Sequence, residues 1–309
     1  MKPSGKILNA REDLLKFAFF PGCMIQVRYP QMEAAVRKTV PPLGIELVDL
    51  PGLGCCPDPV FFKSIYKLDW LVLAARNLAI AEEAGLDFVT ICSGCTETLS
   101  EAAHLLNDKG PLLKQVNRCL QRIGKEYHGT VKTRHLMTVL RDDVGAGKVR
   151  ESVTRPLEGV RVAVHYGCHL LKPRDIMQVD DPDNPTIFED MLRAIGATPV
   201  DHEERIICCG KSCRECDLPD EMTKTVLCSI HEADVDIMGV ICPSCFDSFD
   251  VGQIRVVKKF GLAFQVPPVY YFQLLALSQG MAPQEVGLDK HKLKPDKLFE
   301  RIGVAVGGQ

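Results

Sequence analysis

Ten of the fourteen cysteines fall into two copies of one pattern, Cys…Cys-Cys…Cys-x-x-Cys. The first copy is Cys23, Cys55, Cys56, Cys92 and Cys95; the second is Cys168, Cys208, Cys209, Cys242 and Cys245. The gaps are similar: 31 and 39 residues before the Cys-Cys pair, then 35 and 32 before the Cys-x-x-Cys. A duplication of this kind constrains the fold more than any propensity does, because each copy has to bring five distant thiols to one place.

The echo extends beyond sulfur. Phe17-Ala-Phe-Phe-Pro-Gly-Cys23 parallels Val162-Ala-Val-His-Tyr-Gly-Cys168, and Gly44-Ile-Glu-Leu-Val-Asp49 parallels Gly196-Ala-Thr-Pro-Val-Asp201. Gly145 to Arg155 reads as the connection between copies, giving domains at 1–150 and 151–309. Short apolar runs, Phe17 to Phe20, Ile45 to Val48, Phe88 to Ile91, Val160 to Val164 and Val240 to Ile241, precede cysteines as strands do. Helical patterns alternate with them: Met32 to Val40, Leu68 to Glu83, Ile187 to Ile195 and Glu221 to Ala233. The expected class is α/β, with two similar Rossmann-like halves related by pseudo-twofold symmetry. Each has a small parallel sheet with flanking helices. Cysteines then gather at carboxyl strand ends, where such sheets bind ligands. Val266 to Leu277 reads as one short apolar helix, and Cys119 and Cys228 as small buried hydrophobes within helices.

Composition excludes several classes. At 46% hydrophobic, 25% charged and net charge -3, the chain has no field that favours nucleic acid. Runs such as Trp70 to Ala75 are too short to span a bilayer, and Met1 to Phe20 carries charges where a secretory signal is apolar. A cytoplasmic protein with no membrane span is expected. In that reducing setting so many cysteines point to metal or redox chemistry. A structural zinc site or a cubane cluster takes four protein ligands, one fewer than each copy offers. Adjacent side chains diverge, so a Cys-Cys pair reaches different irons of a large cluster more readily than one small ion. Zinc in one site, and a plain Cys-x-x-Cys dithiol, are the alternatives.

The duplicated motif, with Arg28-Tyr29-Pro30, Leu73-Ala-Ala-Arg-Asn-Leu78, Asp180-Asp181-Pro182 and Gly287-Leu-Asp-Lys-His291, is similar to the cysteine-rich CCG domain pair of the heterodisulfide reductase B subunit. The resemblance implies two noncubane [4Fe-4S] clusters, one on each set of five cysteines. It implies a disulfide substrate between them that receives one electron at each sulfur. Partners would be an iron-sulfur C subunit together with a flavin-bearing A subunit, since no glycine fingerprint for flavin or nicotinamide occurs here.

Two departures stand out. Pro57 follows the first Cys-Cys where the family has glycine, removing an N-H that could reach cluster sulfur. Gly210-Lys211-Ser212-Cys213-Arg214-Glu215-Cys216 follows the second. Lys211, Cys213 and Cys216 are thus candidates for handling a sulfur species. The segment resembles the heterodisulfide reductase-like proteins of sulfur-oxidising bacteria, which implies sulfane sulfur on a lipoate-binding carrier protein. His165 and His169 bracket Cys168 and are candidates to protonate a departing thiolate or to hydrogen-bond cluster sulfur. Arg28, Lys172 and Arg174 are candidates for attracting an anionic substrate. The competing readings are an electron-relay subunit of a dehydrogenase complex and a zinc-stabilised scaffold.

Overall fold

The computed structural model describes residues 14–213 and 217–304; Cys216 lies outside them. Two four-stranded parallel sheets repeat one topology. In the first the order is β2-β1-β3-β4, formed by β1 (Leu15–Phe20), β2 (Ile45–Val48), β3 (Phe88–Thr90) and β4 (Thr133–His135). The second has the order β6-β5-β7-β8, formed by β5 (Arg161–His165), β6 (Thr198–Val200), β7 (Ile237–Val240) and β8 (Pro268–Tyr270). Central strands read as continuous apolar runs because helices cover both of their faces: Ala18, Phe19, Phe20, Phe88 and Val89 are buried, as are Val162, Ala163, Ile237 and Met238.

The expected helices form at Pro30–Thr39, Lys67–Glu83, Ile187–Ala194 and Leu218–His231. Pro30, Pro111 and Pro219 sit in first turns, where a missing N-H costs nothing. The first of these helices gives way to a short turn, Pro41–Leu43, and to Gly44 at φ 80, which aims the chain into β2.

Three expectations change. Val266 to Leu277 is not one helix: β8 comes first, then the helix Tyr271–Ser278. Its strand pairs with Met238, Gly239 and Val240, and this pairing overrides the local apolar pattern. The segment read as a connection contains a helix, Gly145–Glu151, despite its two glycines. Cys119 lies in the helix Pro111–Leu120 but on its exposed side, and Cys228 is only partly buried; the helices turn Leu113, Val116 and Leu120, and Val226, Leu227 and Ile230, inward instead. Among the described residues, no helix is long and apolar enough to cross a membrane.

Candidate functional site

The carboxyl ends of the two sheets face each other, and all ten repeat cysteines meet there. Their thiols form one chain of contacts. Cys23 neighbours Cys55, Cys55 adjoins Cys56, and Cys56 Sγ lies 3.0 Å from Cys95 Sγ. Cys95 touches Cys92, and Cys92 touches Cys242 of the other half. From there Cys242 pairs with Cys245, Cys245 with Cys209, Cys209 with Cys208 and Cys208 with Cys168. The chain reads the same from either end, with the Cys92–Cys242 contact at its centre. Among the described residues, no three such donors close on one point as the ligands of a single ion would.

Local sequence explains each placement. Cys92 and Cys242 are the N-cap residues of helices that start directly after β3 and β7. Cys95 and Cys245 follow one turn later. Gly22 (φ 81) and Gly167 (φ 67) let the chain pass so close that an added Cβ would lie 2.8 Å from Cys95 Sγ and 2.9 Å from Cys245 Sγ. Neighbouring helices hold the Cys-Cys loops. Asn77 donates to the Cys55 carbonyl at 3.0 Å and accepts from the Gly54 N-H at 2.9 Å; Thr223 donates to the Cys209 carbonyl at 3.2 Å.

Packed thiols resist ionising together. Hydrogen bonds to neighbouring thiols push Cys92, Cys95 and Cys245 well above the usual thiol range, and Cys208 pushes Cys209 up to about 12. Neighbours that donate have the opposite effect, so Cys55 and Cys95 lower Cys56 to about 5. Such a set gains its full negative charge only when bound cations offset it.

Two cavities flank the centre. One of about 190 Å³ is lined by Cys23, Cys55, Cys56, Cys92 and Cys95 together with Asp58. The other, about 20 Å³, is lined by Cys168, Cys208, Cys209, Cys242 and Cys245 together with Lys211. His169, Ser212, Cys242 and Ser244 line both, so the two cavities are neighbours across a common wall.

Of the polar residues expected here, His169 stands at this junction, its Nδ1 on Glu97 Oε2 from the other half. Burial opposes a charge on His169, but the Glu97 hydrogen bond and charge outweigh it and raise its pKa. His165 is fully buried beneath Gly167, and burial lowers it to about 3, so the ring is neutral. Lys211 and Arg28 both pair with Asp247, Arg28 at 3.0 Å. Lys172 is exposed, and Arg174 lies 3.9 Å from Asp183 on the surface. Cys213 is half-buried; its N-H donates to the Gly210 carbonyl at 2.9 Å, and it lines neither cavity.

Sequence reasoning missed Glu97 and Asp247. Each stands two residues after the second cysteine of its Cys-x-x-Cys, each is buried, and each crosses between halves. Asp247 takes Tyr29 Oη, Arg28 and Lys211 together. That matching position was the available signal.

The residues fit iron-sulfur clusters. Five thiols line each cavity, both ring nitrogens of His165 and the Ser93 hydroxyl are buried without a partner among the described residues, and two glycines leave clearance beside sulfur.

Known proteins point the same way. The cysteine-rich domain family, CCG, matches residues 17–100 and again 162–250. The chain is 36% identical to the B subunit of the ferredoxin/F420H2-dependent CoB-CoM heterodisulfide reductase of Methanosarcina acetivorans, over 94% of this chain and 97% of that one. It is also 36% identical to a protein of Archaeoglobus profundus described as like the heterodisulfide reductase B subunit, covering 88% and 93%. The membrane anchor subunit of the 8-methylmenaquinol:fumarate reductase of Wolinella succinogenes is 32% identical, covering 92% and 99%. A crystal structure of a hypothetical protein from Helicobacter pylori shares the fold at TM-score 0.67 and 15% identity, with 90% of this chain matching 52% of that one, about half its length. The chain belongs to the family of heterodisulfide reductase B subunits and carries two copies of its cysteine-rich CCG domain.

Proposed function

We propose that this chain is the catalytic B subunit of a heterodisulfide reductase-like complex, an oxidoreductase acting on disulfide or sulfane sulfur. At a coarser level it is a redox subunit of an iron-sulfur complex, as family membership supports. The observation that carries the finer reading is the palindromic line of ten thiols with adjoining cavities on either side of its centre.

Reduction of R-S-S-R′ to two thiols consumes two electrons and two protons. Two noncubane [4Fe-4S] clusters, held by Cys23, Cys55, Cys56, Cys92 and Cys95 and by Cys168, Cys208, Cys209, Cys242 and Cys245, would supply the electrons singly. The electrons come from partner subunits, one with iron-sulfur clusters and one with flavin. The chain's own residues do the rest. Ile91, Ile241 and Phe246 are fully buried beside the Cys-x-x-Cys segments, and with them Cys92, Cys95, Cys242 and Cys245 are held out of water at the centre of the line. His169, oriented by Glu97, holds a proton where a departing thiolate forms. Lys211 lines the smaller cavity with part of its side chain exposed, so it is available to an anionic arm of the substrate. With Cys213 and Cys216 following in sequence, the substrate class extends to sulfane sulfur on a lipoate-type carrier.

The test is anaerobic iron, sulfide and zinc analysis with a visible spectrum, then oxidation of the reduced protein by an added disulfide. About eight irons and eight sulfides per chain are expected, the content of two four-iron clusters, with a paramagnetic signal that depends on the added disulfide. Zinc without visible absorption would sink the reading. The Wolinella relative, which belongs to a fumarate reductase, favours a second reading: an electron relay without a substrate of its own. That reading gives the iron and sulfide but no thiol-dependent signal.

A further inference from the structure

The fourth strand of each sheet ends on a residue that the proposed chemistry does not use. β4 ends on His135 and β8 on Tyr270, and both are fully buried. Each reaches into the opposite half. His135 Nε2 lies 3.2 Å from the Ile241 carbonyl, and Tyr270 Oη donates to the Ile91 carbonyl and lies 3.3 Å from that of Ile241. Ile91 and Ile241 are the residues immediately before Cys92 and Cys242, the two thiols in contact across the halves.

The donors are assigned by their surroundings. The Met137 N-H points at His135 Nδ1 at 3.2 Å, which leaves the ring proton on Nε2, facing Ile241. The Tyr270 proton is then free for Ile91. Both buried carbonyls are satisfied, each by a side chain from across the interface. These are direct hydrogen-bonded ties at the pseudo-axis that do not pass through sulfur.

We propose that Tyr270 and His135 are positioning residues that fix the Cys92-to-Cys242 separation, and with it the coupling that lets two one-electron sites act on one bond. A hydrogen bond on the carbonyl before each cysteine orients the peptide from which that cysteine leaves its strand. Sliding one half past the other must break both bonds at fully buried residues, where a stranded carbonyl is costly. The second clause of the proposal rests on the paired-cluster reading; the first does not.

The experiment compares Tyr270→Phe with Tyr271→Phe. Tyr271 is an equally buried neighbour whose hydroxyl lies 3.3 Å from the Met191 carbonyl, away from the axis, so it controls for mere loss of a buried hydroxyl. In apoprotein, diamide oxidises two thiols to a disulfide and is itself reduced to the hydrazine. The yield of the Cys92–Cys242 crosslink, mapped by mass spectrometry, should fall roughly fivefold in Tyr270→Phe, the factor that one buried hydrogen bond supplies. It should hold in Tyr271→Phe. In anaerobically loaded protein with both sites paramagnetic, the mutual relaxation enhancement of the two signals should weaken in Tyr270→Phe only, at unchanged iron and sulfide.

Tyr270→His places the first half's own residue there and should restore both readouts; it also serves if the phenylalanine variant does not fold. Equal crosslinking in both phenylalanine variants overturns the positioning role. The expected crosslink loss with unchanged relaxation overturns the coupling role. A chain that takes up no iron sinks the paired-cluster reading, and with it the coupling clause, while the crosslinking result still decides the positioning role.

Discussion

The two halves share a strand order and a sulfur path, yet the residues around the sulfurs differ at nearly every matching position. Where the first half has Phe20, Met24, Pro57 and Asp58, the second has His165, His169, Gly210 and Lys211. The first site is open: Cys23 and Cys55 are exposed and also edge an outer crevice of about 540 Å³. The second is closed and rich in donors. The Gly210 N-H lies 3.3 Å from Cys208 Sγ, a bond that Pro57 cannot make in the first half. The halves therefore share the thiols and the glycines that clear them, while their polar surroundings differ. Donors stabilise the more negative, reduced state of a cluster. The second site is thus expected to be reduced at the higher potential, so that a reductive titration shows two steps.

The largest test of this comparison is steric. Gly167→Ala and Gly22→Ala each drive a Cβ to within 3 Å of a cysteine sulfur, Cys245 and Cys95 respectively, at a positive φ. Each variant should lose the iron of its own half alone, about half the total by metal analysis. Loss of all the iron from either variant would show that the halves load together.

Next come the carboxylates that cross between halves. Asp247→Asn strands Tyr29, Arg28 and Lys211, whereas Glu97→Gln strands only His169. Denaturant titration should show a cost of about 3 kcal/mol for the first, because Asp247 is buried while Arg28 and Lys211 keep part of their side chains in solvent. About 2 kcal/mol is expected for the second. Equal costs would remove this asymmetry.

The axial residues differ in titration. Burial lowers His135 to about 4, while Tyr270 does not titrate in that range. A histidine kept neutral by the fold binds its proton more readily when unfolded, so stability is present above the unfolded pKa and is lost as pH falls from about 6.5 toward about 4. His135→Tyr should remove a share of that loss on the order of 3 kcal/mol. His165, His202 and His291 are also lowered by burial and keep the remaining acid sensitivity. An unchanged acid limb would exclude His135 from it.

The smallest effect concerns potential. Pro57→Gly restores an N-H beside Cys55 and should raise the first site's potential, narrowing the gap between the two steps of a redox titration. A gap that does not move would mean that the backbone donor is not what separates the halves.

The repeat was legible in the sequence because Cys, Gly and strand-ending apolar runs recur at matching spacings. From it follow the parallel α/β class, the two-sheet duplication and strands at the positions of β1, β2, β3, β5 and β7. Missed were β4, β8 and the short β6, whose Thr198-Pro-Val200 pairs with β5. Thr133-Arg-His135 has no apolar run, and Pro268-Val-Tyr270 merges into the apolar stretch of the next helix; both are strands only because β3 and β7 offer them partners. His169 is conspicuous beside Cys168, but Glu97, its partner 72 residues away in sequence, is not.

The sequence by itself determined which atoms this protein devotes to its site: two sets of five thiols, glycines beside them, and donors weighted to the second half. Spacing and residue type are local properties, so they survive in one dimension. Only the tertiary structure decided that the two sets form one line through Cys92 and Cys242, that Asp247 and Glu97 tie the halves together, and that Tyr270 and His135 sit on the axis. Those contacts join residues roughly 70 to more than 200 positions apart, and they exist only because two sheets pack end against end, an arrangement set by the whole buried core.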